Sequence, residues 1–228
     1  MPSARESFLA GARATAPVLV GIVPFGLVAG AAAVGVGLSG LQAVGLSAIV
    51  FAGASQLAAI DLLGQDAPLA VVVVTALVIN LRMVMYSASI APYFQGVATR
   101  WRAGLAYLLT DQAYALLVTR FGDDRPVRRR WYYLGAAAPL WAVWQVCTVV
   151  GVVVGARVPE SLPLSFAVPL TFLALLVPAI TDRASGVAAA VGGAGAAVGV
   201  GLPLNLGLIA GALAGVLAGL VAESRWQR

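Results

Sequence analysis

Apolar runs of bilayer length recur from residue 17 to residue 222, and no polar stretch between them is long enough to form a soluble domain. Such a chain has lipid as its natural solvent, because about 20 apolar helical residues match a hydrocarbon core about 30 Å thick. With 61% hydrophobic and 10% charged residues and a mean hydropathy of +0.96, there is too little polar surface to wrap a soluble core. The pattern predicts an all-α integral membrane protein of about eight transmembrane helices, at roughly 17–37, 41–63, 68–91, 103–121, 133–155, 162–181, 185–201 and 204–222. These form one transmembrane domain over 1–228, with 1–16 as an N-terminal segment and 223–228 as a tail. Arg5 and Arg13 ahead of Ala31-Ala32-Ala33 also have the outline of a cleaved signal. The run from Pro17 to Val36 is nevertheless long enough to span a bilayer, and it reads as the first helix.

All 14 basic residues are Arg. In the eight-helix reading one side collects Arg5, Arg13, Arg120, Arg125, Arg128, Arg129, Arg130, Arg183, Arg225 and Arg228, and the other Arg100, Arg102 and Arg157. Positive loops stay in the cytoplasm, so both termini are expected there, in a multi-pass protein of the cytoplasmic membrane. Seven helices would put Arg225 and Arg228 outside. The same rule accounts for the net charge of +5 without nucleic acid. His is absent and Cys147 is the single cysteine, which leaves no disulfide or ordinary zinc site within one chain. No metal or cofactor is expected.

The first helix carries Pro24-Phe25-Gly26 with Gly21 and Gly30 around it. Pro removes a backbone hydrogen bond, so the segment reads either as a broken helix whose amides bind a carboxylate or as a kink with small residues for close packing. The second helix carries Gly53, Ser55 and Gln56, which either recognise a zwitterion through uncharged groups or bond a neighbouring helix. A weak internal repeat is suggested by GIVPFG at 21–26 and GAAAPLW at 135–141, each placing Pro shortly after Gly; beyond that the halves align poorly.

The third helix has Asn80, Arg82 and Tyr86, and the fourth has Asp111 with Tyr107 and Tyr114. A charge at the bilayer centre costs roughly 2.5–3.5 kcal/mol on insertion scales, so each of Arg82 and Asp111 needs a partner or a watery cavity. Treated as an antiparallel hairpin, the third and fourth helices put the two at similar depth. Tyr107, Asp111 and Tyr114 then share one helical stripe, and Arg82 and Tyr86 another. The pair serves either to hold a carboxylate and an ammonium group or coupling proton, or to fasten the hairpin.

Taken in order, Pro24-Phe25-Gly26, FAGASQ at 51–56, NLRMVMYSASIAP at 80–92, LTDQAYAL at 109–116, VPLTFLALLVP at 168–178 and the Gly-rich end near 205–219 resemble the AzlC-type branched-chain amino acid permease family. The resemblance implies export of hydrophobic amino acids with a small membrane subunit of the AzlD type. Two departures stand out: Met83 where the family often has His after NLR, and Gln112 where it often has a second carboxylate. Asp111 is left as the stronger proton carrier. No nucleotide-binding Gly-Lys-Ser/Thr loop is present, so a secondary exporter is expected. A non-transporting membrane scaffold and an intramembrane enzyme are the competing classes; the second has no His and no paired catalytic carboxylates close in sequence to work with.

Overall fold

The computed structural model describes residues 2–122, 126–157, 180, 182–201 and 206–226, and these are helical wherever they are regular. The helices are α1 (Ala4–Gly35), α2 (Gly40–Ile49), α3 (Gly53–Gly64), α4 (Leu69–Ile90), α5 (Thr99–Tyr107), α6 (Asp111–Phe121), α7 (Arg129–Gly155), α8 (Arg183–Val198) and α9 (Leu206–Trp226). Short 3-10 turns follow α4 at Ala91–Phe94 and α8 at Gly199–Gly201. Among the described residues, four segments are long and apolar enough to cross a membrane: Ala4–Gly35, Leu69–Phe94, Arg129–Gly155 and Arg183–Gly201. The predicted span at 162–181 and the boundary at Pro203 lie outside the described residues. The chain divides into two compact units, Met1–Pro169 and Leu170–Arg228.

The first unit is built on a parallel pair, α1 and α7. A methyl group on Gly11 or Gly30 would collide with the carbonyls of Tyr132 or Thr148, and one on Gly135 or Gly151 with those of Phe8 or Leu27. Small residues thus bring the two backbones into direct contact, as membrane helices do where lipid supplies no hydrophobic drive. The buried Thr15 hydroxyl crosses the seam to the Ala136 carbonyl at 2.9 Å. Pro17 and Pro24 sit inside α1 without interrupting it. Of the two readings of Pro24, the broken helix is therefore absent and close packing of small residues along the seam is what the structure holds.

The breaks fall elsewhere, and they reverse the chain. At 10 and 12 residues, α2 and α3 are roughly 15 and 18 Å long, each about half the hydrocarbon core. The start of α2 lies at the far end of α7, where a methyl on Gly40 would sit 3.2 Å from Val152. By Ser47 it has descended to Trp144 and Thr148. A methyl on Gly53, at the start of α3, would meet Phe25 and Trp144 in mid-bundle, and one on Gly64 would meet Val36 back at the far end. Hence α2 and α3 form a re-entrant hairpin.

A second hairpin enters from the opposite end. Trp101 at the start of α5 packs on Trp131 at 6.2 Å, and Tyr107 at its close reaches the Ala48 carbonyl at 2.6 Å. From there α6 starts beside Arg82 and returns to Tyr93, whose ring lies 5.0 Å from that of Phe121. The predicted spans 41–63 and 103–121 are thus corrected to half-membrane hairpins. A helix followed by a hairpin occurs twice with opposite direction: α1 with α2–α3, then α4 with α5–α6. The segments of the suggested repeat, GIVPFG and GAAAPLW, lie on the parallel, mutually packed helices α1 and α7.

This path also revises the charge sides. Arg129 stacks over Tyr93 at 4.9 Å and Arg130 over Trp101 at 4.9 Å, so the 92–102 connection shares an end with the start of α7. The start of α1 is there too, where Arg128 Nε donates to the Pro2 carbonyl at 2.9 Å. Arg5, Arg13, Arg100, Arg102, Arg120, Arg128, Arg129 and Arg130 gather at this near end, and Arg157 lies at the far one. Arg100 and Arg102 are no longer exceptions.

In the second unit α8 and α9 run antiparallel. Gly207, Gly211, Gly215 and Gly219 recur every fourth residue on α9, where added methyls would press on Gly199, Ala196, Gly192 and Ala188. Asp182 caps α8, accepting from the Ser185 amide at 2.7 Å. Its carboxyl is held below the usual range chiefly by that backbone hydrogen bond.

Candidate functional site

Two polar clusters occupy the middle of the first unit, on opposite sides of α4. With about 100° per helical residue, Asn80 and Arg82 point about 160° apart. Ten of the eleven residues singled out in the sequence divide between them, and Pro24 stands apart.

On one side, Arg82 Nη1 lies 3.0 Å from Asp111 Oδ1, with side chains 32% and 36% exposed. The approach is close but poorly aligned: Asp111 Oδ1 accepts no well-directed hydrogen bond, and the buried Arg82 Nε has no acceptor. Charge holds this pair more than hydrogen-bond geometry does. Beside it Tyr86 interacts with the Asp111 carboxylate and stacks on Tyr114, with centroids 4.3 Å apart and planes at 15°. The Tyr114 hydroxyl donates to Ser89 Oγ at 3.0 Å. The depth match follows from α4 and α6 running parallel toward the near end, which corrects the antiparallel hairpin of the sequence reading. Tyr107 is not part of this stripe, because residues 108–110 separate α5 from α6.

Local chemistry explains why α6 starts at Asp111. Thr110 is extended and its hydroxyl accepts from the Ala113 amide at 3.2 Å, and an acid in the first turn is favoured by the helix dipole.

On the other side, Asn80 Nδ2 donates to Ser55 Oγ at 3.0 Å, and Ser55 Oγ donates to the Ala52 carbonyl at 2.9 Å. Asn80 Oδ1 is buried without a partner. The Trp144 indole N–H is shared between Ser47 Oγ at 3.0 Å and Gln56 Oε1 at 3.2 Å, tying the two arms of the hairpin to α7. Phe25 meets Trp144 edge-on at 5.2 Å, and Gly53 leaves room for both rings. Gly26 packs on Cys147. Pro24 is exposed on α1 and joins neither cluster.

The break between α2 and α3 is finished on one side only. At the end of α2, the Ser47 carbonyl accepts from Gln145 Nε2 at 3.2 Å and the Ala48 carbonyl from Tyr107. At the start of α3, no side chain caps the first-turn amides. Such amides carry partial positive charge.

Residues 17–158 match the family of the AzlC protein. The chain belongs to the AzlC family. Among similar proteins, the inner membrane protein YgaZ of Escherichia coli K12 is 26% identical over 188 residues, covering 78% of this chain and 76% of its own. An uncharacterized membrane protein of Archaeoglobus fulgidus is 32% identical, with 73% of each chain covered. Another, of Helicobacter pylori 26695, is 28% identical, covering 72% of this chain and 71% of its own. No solved structure matches.

The matched region of this AzlC-family chain contains both hairpins and both clusters. It also contains residues that the motif reading passed over: Ser47, Tyr133, Trp141, Trp144, Gln145 and Thr148. The signal for four of them was present, since Trp141, Trp144, Gln145 and Thr148 follow the i, i+3, i+4, i+7 rule for one helix face.

Proposed function

We propose that this AzlC-family protein is a secondary exporter of small hydrophobic amino acids, leucine, isoleucine, valine or methionine, coupled to proton entry and working with a small AzlD-type membrane subunit. One observation carries the transport reading: two half-membrane hairpins enter from opposite ends and place their broken backbones beside polar side chains at mid-depth. Irregular backbone survives at that depth only where protein buries it or water reaches it, and discontinuous helices near the midplane are the usual substrate and ion sites of transporters. The substrate class and the small subunit rest on the family resemblance.

The Arg-rich near end is the cytoplasmic side by the positive-inside rule. In the second unit Arg183 and Arg225 lie at the same end of the α8–α9 hairpin, and the same rule applied to that hairpin by itself supports a cytoplasmic C-terminal tail. Asp111 is the proton carrier, with Arg82 as the charge that releases or retains the proton. An apolar groove of about 440 Å³, lined by Ala14, Val18, Leu116 and Arg120 among others and reaching Gln112, opens between α1 and α6. It suits the approach of a hydrophobic amino acid, being apolar and within the usual range of ligand-site volumes.

Efflux of radiolabelled leucine from oriented vesicles, with and without a pH gradient and the small subunit, tests this reading. Asp111→Asn should keep membrane abundance and lose the response to the gradient. Arg82→Gln should slow efflux and weaken substrate competition. If each single variant is lost from the membrane while an apolar double replacement restores pH-driven efflux, the pair is only a structural fastener and the proposed coupling is wrong.

A further inference from the structure

The two hairpins meet at one side chain. Tyr107 closes α5, and its hydroxyl donates to the Ala48 carbonyl at the end of α2 while accepting from the Trp141 indole N–H at 2.8 Å. Its ring also lies 6.3 Å from that of Phe51 in the turn between α2 and α3. The tip of the far-end hairpin and the tip of the near-end hairpin are thus joined through a single hydroxyl, in mid-bundle. We propose that this joint is the gate of the transport path: Tyr107 bonded to Ala48 keeps the middle closed, and its release opens it. The inference rests on the transport reading and adds the residue that makes access alternate.

The physical case comes from comparing Tyr107 with the other tyrosine that caps a helix end here. Tyr133 donates to the Leu105 carbonyl at 2.7 Å and is 1% exposed. Breaking that bond would orphan two buried groups, so it is a fixed fastening. Tyr107 is 43% exposed. On leaving Ala48 it can keep its bond from Trp141, and part of its ring is not covered by the rest of this chain. Ala48 is one of the last carbonyls of α2, which have no intrahelical donor. Where water reaches the site, that carbonyl exchanges Tyr107 for solvent at little cost. Meanwhile Gln145 holds the Ser47 carbonyl and Trp144 holds Ser47 and Gln56. The hairpin therefore stays anchored to α7 when the joint parts. A net hydrogen bond shifts a closed-to-open ratio roughly two- to twelvefold, a range in which a substrate can tip the balance.

The test uses a full-length Cys147→Ala protein with Ala54→Cys as a probe, in the partly exposed first turn of α3. A membrane-impermeant maleimide is applied to either face of oriented vesicles, with no amino acid present. Tyr107→Phe removes the donor and keeps the ring; it should raise labelling from the disfavoured face about tenfold. Trp141→Phe weakens the joint and should raise it less, about threefold. Tyr133→Phe should leave the face preference unchanged. Unaltered face preference in Tyr107→Phe at normal abundance, or an equal change in Tyr133→Phe, overturns the gate. Should Tyr107→Phe fail to reach the membrane, Trp141→Phe decides: a rise supports the gate and no rise overturns it. The labelling is independent of substrate, so a responsive joint in a protein with no amino-acid flux would instead sink the proposed function.

Discussion

The two hairpins solve the same problem with different parts. Each stops a helix at mid-depth and must satisfy the groups exposed there. The near-end hairpin caps its own helix start: Thr110 caps the amides of α6 and Asp111 meets its dipole, while the α5 carbonyl of Leu105 is taken from outside by the buried Tyr133 of α7. The far-end hairpin borrows from outside: Gln145 and Tyr107 take the carbonyls of α2, Trp144 braces both arms, and the amides of α3 are left uncapped. The near-end hairpin carries a charged pair, and the far-end hairpin an open helix start. Under the proposed function these are the proton carrier and the site for a substrate carboxylate respectively.

This contrast can be broken in graded ways. The largest effect is expected from Gly53→Val, because even a methyl there lies 2.8 Å from both Phe25 and Trp144. Overpacking costs about 1–3 kcal/mol, and more where two rings must move, so membrane abundance should fall severalfold. Gly45→Ala on the same hairpin meets nothing within 4 Å and should leave abundance unchanged; equal losses would show that Gly53 has no special packing role.

Next comes Tyr133→Phe, which leaves the Leu105 carbonyl without its donor at a cost of roughly 1–3 kcal/mol. Gln145→Ala should destabilise less, since Gln145 is only part-buried at the Ser47 carbonyl. Thermal unfolding in detergent ranks the two, and the reverse order would contradict the distinction between the buried fastening of the near-end hairpin and the part-buried one of the far-end hairpin.

Thr110→Ala should lower stability by about 1 kcal/mol, and Thr110→Ser should restore it. The smallest stability change belongs to Ala52→Ser, which offers α3 the cap it lacks. It should gain a few tenths of a kcal/mol up to about 1. Because the new hydroxyl competes for the open amides, efflux should fall while abundance holds or rises. Greater stability with unchanged efflux would remove those amides from the substrate path.

The helical, apolar character of the chain was legible in its apolar runs, and the pairing of Arg82 with Asp111 in their opposite charge, although the depth argument leaned on an antiparallel hairpin where α4 and α6 run parallel. The direction of travel was not legible. Two helices of 10 and 12 residues joined by a tight turn carry as much apolar length as one spanning helix, and a hydropathy window counts length without noticing that the chain turns back. The clue lay in Thr110-Asp111-Gln112, a helix-start pattern inside an apolar run. Pro24 admitted both a break and close packing, and the glycine seam with α7 decides for packing and keeps α1 whole. Asn80 and Arg82 were grouped by proximity in sequence, although two residues on a helix face nearly opposite ways.

Everything above depends on the hairpins turning back, and cysteine accessibility tests that directly. In a Cys147→Ala protein, single cysteines at Gln65, Gln95 and Pro126 are labelled with an impermeant maleimide on intact cells and on inverted vesicles. Re-entrant hairpins require Gln95→Cys and Pro126→Cys to react from the same face, the one carrying the N-terminus, and Gln65→Cys from the other. Gln95→Cys reacting from the face opposite Pro126→Cys would mean that residues 99–121 cross the membrane, and the architecture would fall.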